Sequence, residues 1–144
     1  MRPSQRTPRE RRGRGQALVE FALVLPIFIL LLVGLFDVGR LVFINNSVSE
    51  AAREGARWGA VQNRSVDATG RASIGQHVLG GLTGVPTPDV TVSCERNGAS
   101  QSQCSSNDIL VVTVSTPVQL ATPLMDRLLG TPVVTSTSKV TVNQ

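Results

Sequence analysis

The 144-residue sequence is poor in aromatic residues, histidine and cysteine. Aromatic side chains make up 3% of the chain, with a single Trp and no Tyr, so a large aromatic core is excluded. One His and two Cys supply too few ligands for most zinc sites and too few bases for a typical hydrolase. The sequence also lacks a phosphate-binding loop and a nucleophile–base pair. These shortages argue against an enzyme, a cofactor site and a small-molecule substrate.

Basic residues are plentiful, but they are concentrated at the N-terminus. Six of the fourteen Lys and Arg residues lie in the first fourteen positions, where Glu10 is the one acidic residue. Residues 15–144 carry eight basic and nine acidic residues, so the net charge of +4 belongs to a tail. A nucleic-acid-binding domain would carry its basic patch on a folded surface. Nucleic acid is therefore not an expected partner.

A long apolar segment follows the basic tail. The twenty residues from Ala17 to Phe36 contain one charged residue, Glu20. A helix of that length spans about 30 Å, the thickness of the hydrocarbon core of a bilayer. Pro26 lies near its middle, where it can kink the helix as a packing feature or as a hinge. We therefore predict a transmembrane helix over residues 16–36, with membrane lipid as its partner.

The flanking charges predict the orientation of this helix. The Arg-rich residues 1–15 precede it, whereas Asp37 and a lone Arg40 follow it. The positive-inside rule keeps residues 1–15 in the cytoplasm and exports everything after Phe36. The apolar run is longer than the core of a cleaved secretory signal, and no suitable signal-peptidase site follows it. We expect a single-pass protein of the cytoplasmic membrane, with a periplasmic or extracellular C-terminal domain.

Glu20 places a carboxylate about one turn inside the apolar segment. Such a group costs roughly 2.5–3.5 kcal/mol at the centre of a membrane helix and less near its end, so it either snorkels to the interface or has a partner. Gly15, Glu20 and Phe21 reproduce a pattern that resembles the processing site of type IV pilin-like proteins. The resemblance implies that a prepilin peptidase cuts after Gly15 and removes residues 1–15.

Cleavage after Gly15 would make Gln16 the new N-terminus. Gln16 and Glu20 are four positions apart and lie on one face of a helix. An α-amino group has an ordinary pKa of about 7.7–8.0, so the new terminus would be a cation within reach of the Glu20 carboxylate of the same or a neighbouring subunit. The resemblance implies that this pairing guides subunit docking.

Three motifs, spread over roughly residues 14–62, resemble the TadE-like family, the pseudopilins of the tight-adherence (Flp-type) pilus machinery. They are the segments Gln16–Pro26, Asp37–Arg40 and Ala51–Arg57. The resemblance implies a prepilin peptidase substrate that contacts other pilin-like subunits, of its own or another kind, and acts in pilus assembly, secretion or adhesion. The alternative is an uncleaved single-pass anchor that displays a small extracytoplasmic binding domain.

Beyond Phe36 the pattern becomes amphipathic, which predicts an exported continuation of the helix over residues 37–62. Gly costs about 1 kcal/mol relative to Ala inside a helix, so small residues in rows indicate close packing of another element. That element is either a sheet or helix of the same chain or another subunit. The two rows, each with a spacing of four, are Ala51, Gly55, Gly59 and Ala52, Ala56, Ala60.

Residues 63–144 predict a small domain with a second helix and about three strands. The helix is expected from the N-cap Asp67 to Leu79, before the stop signal Gly80-Gly81. Its expected apolar face is Ala68, Ala72, Gly75, Leu79 and Leu82. Alternating Val residues predict strands over Asp89–Cys94, Asp108–Ser115 and Val133–Val142. The fold class is therefore α+β, a pilin-like arrangement in which the long helix packs on a small antiparallel sheet.

Three further features complete the prediction for the C-terminal part. Cys94 and Cys104 flank a polar loop, and a disulfide between them is the default in an exported domain. Trp58 is expected in the core, and the lone His77 is expected to be structural. Thr116–Thr131 is too apolar for a plain loop, so it is either a short helix on the sheet or a segment on the membrane or a partner.

Overall fold

The computed structural model describes residues 9–62, 66–121 and 130–142. Two helices lie against a four-stranded antiparallel sheet, which confirms the α+β fold predicted from the sequence. The elements in chain order are α1 (Arg9–Gln62), α2 (Ala68–Gly81), β1 (Asp89–Arg96), β2 (Ala99–Gln101), β3 (Ile109–Pro117) and β4 (Val133–Thr141). The apolar segment that we noted within Thr116–Thr131 falls largely on residues 122–129, which lie outside the described residues.

Helix α1 is 54 residues long, which corresponds to about 80 Å. It begins at Arg9 rather than at Gln16, so the prediction of its start was wrong, whereas its end at Gln62 is as predicted. Among the described residues, one helical stretch is long and apolar enough to cross a membrane, with a mean hydropathy of 2.8 in its most apolar window. That window is unburied, and a single apolar helix near the N-terminus suggests membrane anchoring.

The sheet has the strand order β2-β1-β3-β4, so β3 lies between the two other long strands. Val112 of β3 pairs with Val92 of β1 on one side and with Ser138 of β4 on the other. The face that carries these residues packs on the C-terminal half of α1 and on α2. The core there is built from Ile44, Val48, Ala52, Ile74, Val78, Leu110, Val112 and Val114.

The opposite face of the sheet is polar and carries one cross-strand ion pair. The Lys139 ammonium on β4 lies 2.8 Å from the Glu95 carboxylate on β1. These two strands flank β3, where Val111 pairs with Lys139 and is nonetheless buried. The apolar stem of a lysine can cover such a side chain while its charge stays in water.

Strand β2 was missed, so the prediction of about three strands was wrong by one. Residues 95–103 were interpreted as a polar loop, but Ala99–Gln101 pairs back on β1. The signal in the sequence is Asn97-Gly98, the dipeptide that best fits a two-residue hairpin turn. Both residues have positive φ, 52° and 80°, as that turn requires.

The predicted disulfide between Cys94 and Cys104 is present and buried. Its Cα atoms lie 5.3 Å apart, and the Cys104 amide donates to the carbonyl of Val66 at 3.1 Å. The disulfide therefore holds Cys104 on β1, and the hydrogen bond from Cys104 connects the β1–β2 hairpin to Val66, two residues before α2. Closing a loop of this size stabilises a fold by roughly 3 kcal/mol in the chain-entropy description.

Helix α2 begins after Asp67 as predicted, and the Asp67 carboxylate accepts the amide of Gly70 at 2.8 Å. The helix continues through Gly80 and Gly81, two residues beyond the predicted end. The predicted apolar face was wrong except for Leu82. The buried residues are instead Gly70, Ile74, Val78 and Leu82, because the large β-branched side chains of the helix occur at this spacing of four.

Candidate processing and assembly site

The predicted processing site lies on an exposed part of α1. Gly15, Gln16, Glu20 and Phe21 are all exposed, and the Gln16 side-chain amide donates to the Glu20 carboxylate at 3.4 Å. A Cβ atom at Gly15 would have no neighbour within 4 Å apart from adjacent residues and the helix backbone. The helix thus places residues 16 and 20 side by side, with room around them for another protein.

The apolar surface that follows Glu20 has no cover from the described parts of the chain. Large apolar side chains are exposed on all sides of the helix, and Pro26 lies within this stretch. Apolar surface of this extent marks a membrane or protein contact. The exposed residues between Leu18 and Phe36 are Leu18, Val19, Phe21, Leu23, Val24, Leu25, Ile27, Phe28, Ile29, Leu30, Leu31, Leu32, Leu35 and Phe36.

The second motif of the family resemblance, Asp37–Arg40, connects the C-terminal domain to α1 through hydrogen bonds. Asp37 is 6% exposed, and its carboxylate accepts the amide of Ala121 at 2.9 Å. The Arg40 guanidinium donates to the carbonyl of Gln119 at 3.2 Å. These two residues contribute to the predicted orientation and to the family resemblance, but the contact was not predicted, because its partners are about eighty residues away along the chain.

Gly55 and Gly59 of the small-residue rows face other elements of the same chain. A Cβ atom at Gly55 would lie 2.2 Å from Val78 Cγ2, and one at Gly59 would lie 2.6 Å from Ile74 Cδ1 and 2.7 Å from Leu110 Cδ2. Ala52 and Ala56 are buried as well, whereas Ala51 and Ala60 are partly buried. The structure thus places these residues where α1 packs on α2 and β3. Of the two alternatives, the element that packs on the small residues therefore belongs to the same chain.

Trp58 and His77 join the two helices at their outer edge. Their rings are stacked, with centroids 4.7 Å apart and planes inclined by 10°. Trp58 is partly buried against the core, and His77 is exposed. Among the described residues, no three His, Cys, Asp or Glu side chains are grouped so that they could hold a metal ion.

An ion pair that the sequence did not predict, between the exposed Arg96 and the buried Asp108, holds the turn end of the β1–β2 hairpin. Asp108, 1% exposed, accepts from Arg96 Nε at 2.5 Å, from Arg96 Nη2 at 2.7 Å and from the Ser105 amide at 2.7 Å. The bonds from Arg96, then the amide of Ser105, hold the pKa of Asp108 below its usual value. The same pairing raises the pKa of Arg96.

Comparison with known proteins supports the interpretation of α1. The model of the family described as TadE-like protein matches residues 15–57. No curated protein and no solved structure shows a significant match. The matched segment begins at Gly15, includes Glu20, Asp37 and Arg40, and ends within the small-residue rows. The family suggests a role in the assembly of Tad (Flp-type) pili, with contacts to the membrane and to other pilus components. The predicted resemblance is thereby confirmed, and residues 15–57 are similar to the TadE-like family.

Proposed function

We propose that the chain is a pseudopilin, a minor pilin-like subunit or assembly factor of a tight-adherence or related type IV-like pilus or secretion system. A prepilin peptidase processes it after Gly15. The observation that carries the proposal is the position of Gly15 and Glu20 at the start of a bare apolar helix, within the segment that matches the TadE-like family. The protein works through assembly and not through catalysis.

The proposed orientation places the N-terminus in the cytoplasm and the C-terminal domain outside. The arginine residues of the leader favour this direction under the positive-inside rule. The disulfide between Cys94 and Cys104 supports it independently, because disulfides persist in oxidising compartments and are rare in the cytosol. The chain is thus a single-pass protein of the cytoplasmic membrane before it enters or assists a filament.

Cleavage changes the electrostatics at the start of the helix. The side chain of Gln16 already reaches the Glu20 carboxylate at 3.4 Å, so an amine on residue 16 would lie near the same anion. Because Glu20 is exposed, the amine of a neighbouring subunit can reach it equally well. A charge-assisted hydrogen bond contributes about 1.5–3 kcal/mol, which offsets much of the cost of a carboxylate near the bilayer. The pair therefore aligns the apolar helices of two subunits.

The scissile bond lies inside a helix, and the peptidase must open that helix to reach it. Helix α1 runs from Arg9 through Gly15, so the bond after Gly15 is helical in the uncleaved chain. Glycine lowers helix stability by about 1 kcal/mol relative to alanine, and helix ends fray before helix centres. Gly15 thus weakens the helix where it has to open, and its lack of a Cβ atom admits the protease to the backbone.

The test is the mature N-terminus of the protein in cells with and without the peptidase. We expect intact-mass measurement and N-terminal sequencing to find Gln16 first when the peptidase is present. Gly15→Val should retain the full-length precursor. Gly34→Val is the matched control, since a Cβ atom at Gly34 also has no neighbour within 4 Å, and it should be cleaved normally. A wild-type protein that still begins at Met1 or Arg2 in these cells would instead identify an uncleaved anchor.

A further inference from the structure

The first half of strand β1 has a neighbouring strand on one side only. Strand β2 is three residues long and pairs with residues 94–96 of β1. Residues 89–93 pair with β3 on the other side, and no strand of the described parts of the chain lies beyond them. This half of β1 is therefore an open sheet edge, which can pair with a further strand.

The β1–β2 hairpin determines which backbone groups face this open edge. Its two-residue turn makes Arg96 and Ala99 a hydrogen-bonded pair. The direction of the backbone groups alternates along a strand, so the N–H and C=O groups of Val90 and Val92 point to the same side as those of Arg96. No hydrogen bond from the described residues reaches these four groups. The open edge thus presents two donors and two acceptors, spaced as a further strand requires.

Helix α2 lies beside this edge, and the space between them is a groove of about 460 Å³. Its apolar lining comes from Val90 and Val92 of β1, which are half-buried, and from Ala72, Gly75 and Leu79 of α2. Leu79 is 44% exposed, and a Cβ atom at Gly75 would have no neighbour within 4 Å. The groove therefore has room for the side chain of an added strand.

The two ends of the groove carry opposite charges. A short connection joins the end of α2 to the start of β1, so the two elements run in opposite directions. Arg71, near the start of α2, and Asp89, the first residue of β1, therefore lie at opposite ends of the groove. Within the described ranges, neither side chain takes part in an ion pair. A strand that pairs with β1 would meet a cation at one end and an anion at the other.

We infer that this groove binds an extended segment of another polypeptide as an added antiparallel strand. Both strands that pair with β1 are antiparallel to it, and antiparallel pairing is the more stable kind. The residue of the segment opposite Val92 faces Arg71 and is acidic. The residue opposite Val90 faces Gly75 and is apolar, and the next residue, opposite Asp89, is basic. The groove thus selects the order acidic, any residue, apolar, basic.

A second copy of the chain does not match this groove. The free edge strand of a second copy is β4 (Val133–Thr141), which contains no acidic residue to meet Arg71. Strand β4 also runs parallel to β1, because both are antiparallel to β3. A copy anchored in the same direction would therefore pair in parallel. The occupant is a segment of a different polypeptide, and the inference rests on the fold of the C-terminal domain and not on processing after Gly15.

The test is binding of a fluorescein-labelled peptide to the full-length protein in detergent, followed by fluorescence anisotropy. The peptide is Thr-Ser-Glu-Thr-Val-Lys-Thr, and the control peptide has its Glu and Lys exchanged. We expect saturable binding of the first peptide and at least about tenfold weaker binding of the second. The double variant Arg71→Glu, Asp89→Lys should prefer the exchanged peptide, a reversal that a purely structural role of these residues would not produce.

Two further measurements locate the bound peptide. Gly75→Leu fills the groove and should weaken binding at least about tenfold. Gly80→Leu is the matched control, because a Cβ atom at Gly80 also has no neighbour within 4 Å and Gly80 does not line this groove. Hydrogen exchange at the amides of Val90 and Val92, measured by NMR, should slow on binding. Formation of the Cys94–Cys104 disulfide, measured by mass, confirms that each variant is folded.

Three outcomes would overturn the inference. No saturable binding up to about 1 mM peptide would show that the edge does not accept this strand. Equal binding of the two peptides, or undiminished binding to Gly75→Leu, would place the contact elsewhere. Self-association that Gly75→Leu abolishes would identify a second copy as the occupant. Because no peptidase takes part in these measurements, their failure is distinguishable from failure of the proposed processing.

Discussion

Two acidic residues on α1, Glu20 and Asp37, differ in their exposure and in the partners of their carboxylates. Glu20 is exposed, and its hydrogen-bond partner is the side chain of Gln16 on the same helix. Asp37 is buried and accepts a backbone amide from Ala121, far away in the sequence. The first carboxylate can therefore serve a contact between subunits, whereas the second serves the internal attachment of the C-terminal domain.

At Glu20 we predict separate effects on cleavage and on assembly. Glu20→Ala and the isosteric Glu20→Gln remove the anion but leave Gly15 and the bond after it unchanged. Both variants should be processed, while their co-isolation with other pilin-like subunits should fall by roughly tenfold, the effect of about 1.4 kcal/mol. Mass spectrometry of the mature chain and quantitative pull-down from membranes measure the two effects. Wild-type piliation by Glu20→Gln would contradict the proposed amine–carboxylate contact.

At Asp108 we predict a dependence of stability on pH. Its folded pKa is lowered, chiefly by the hydrogen bonds from Arg96 and then by the Ser105 amide. Its stabilising effect is therefore complete above the ordinary carboxylate pKa of about 3.9 and is lost as the pH falls through the lower, folded value. Asp108→Asn should melt several degrees below the wild type at neutral pH, and its further loss of stability below about pH 4 should be smaller.

Thermal melts followed by circular dichroism, in detergent and over a series of pH values, measure this dependence. Asp89→Asn is the matched control, because Asp89 is an exposed residue at the start of β1. It should melt as the wild type does at neutral pH and keep the wild-type loss in acid. An acid profile of Asp108→Asn that parallels the wild type would show that the ion pair does not control stability in this range.

At the scale of secondary structure, α1 carries out two tasks with two kinds of surface. Its N-terminal half presents large apolar side chains in all directions, and its C-terminal half presents small residues to α2 and β3. Gly55 and Gly59 have no Cβ atom, so the helix can approach α2 and β3 closely. The space that a Cβ atom would take there is occupied by the side chains of Val78, Ile74 and Leu110. The sheet and α2 thus bind the helix through its least bulky residues.

Gly55 and Gly75 allow the same substitution to be tested with opposite expectations. Gly55→Ala places a methyl group 2.2 Å from Cγ2 of Val78, a stiff β-branched side chain. We expect a loss of about 1–3 kcal/mol in the free energy of unfolding, as is usual for overpacking. A Cβ atom at Gly75 of α2 would have no neighbour within 4 Å, so Gly75→Ala should gain up to about 1 kcal/mol from helix propensity.

Urea unfolding of the two variants, followed by circular dichroism in detergent, measures both changes. Equal stability of Gly55→Ala and the wild type would mean that α2 can move away from α1 at no cost. A loss in both variants would point to a general intolerance of these helices to alanine, and would count against close packing at Gly55 as the cause.

The sequence predicted the elements whose signals are local. The apolar run, the N-cap Asp67 and the alternating Val residues each act within a few neighbouring positions, and the corresponding elements were found. The three-residue strand β2 was missed because Asn97-Gly98 was interpreted as part of a loop. The apolar face of α2 was wrong because small residues were counted as buried, whereas Ile74 and Val78 decide how the helix is oriented.

At the scale of the whole molecule, the decisive contacts are those that no local pattern can predict. Asp37 and Arg40 were recognised as part of a motif, but their partners Gln119 and Ala121 follow from the tertiary fold. The same holds for Arg96 and Asp108, which are twelve residues apart and meet because β1 and β3 are neighbours. The role of Gly15 and Glu20 in processing was assigned from the family resemblance. Cleavage of the bond after Gly15 stays a prediction.

The continuity of α1 has a mechanical consequence. A single helix begins before the membrane segment and ends in the C-terminal domain. Its residues Ile44, Val48 and Ala52 are part of the core of that domain. An axial pull on the membrane segment is therefore transmitted along the helix to the C-terminal domain, past Pro26, which removes one backbone hydrogen bond from the helix. If the membrane segment moves along its axis, the C-terminal domain packed on the same helix moves with it.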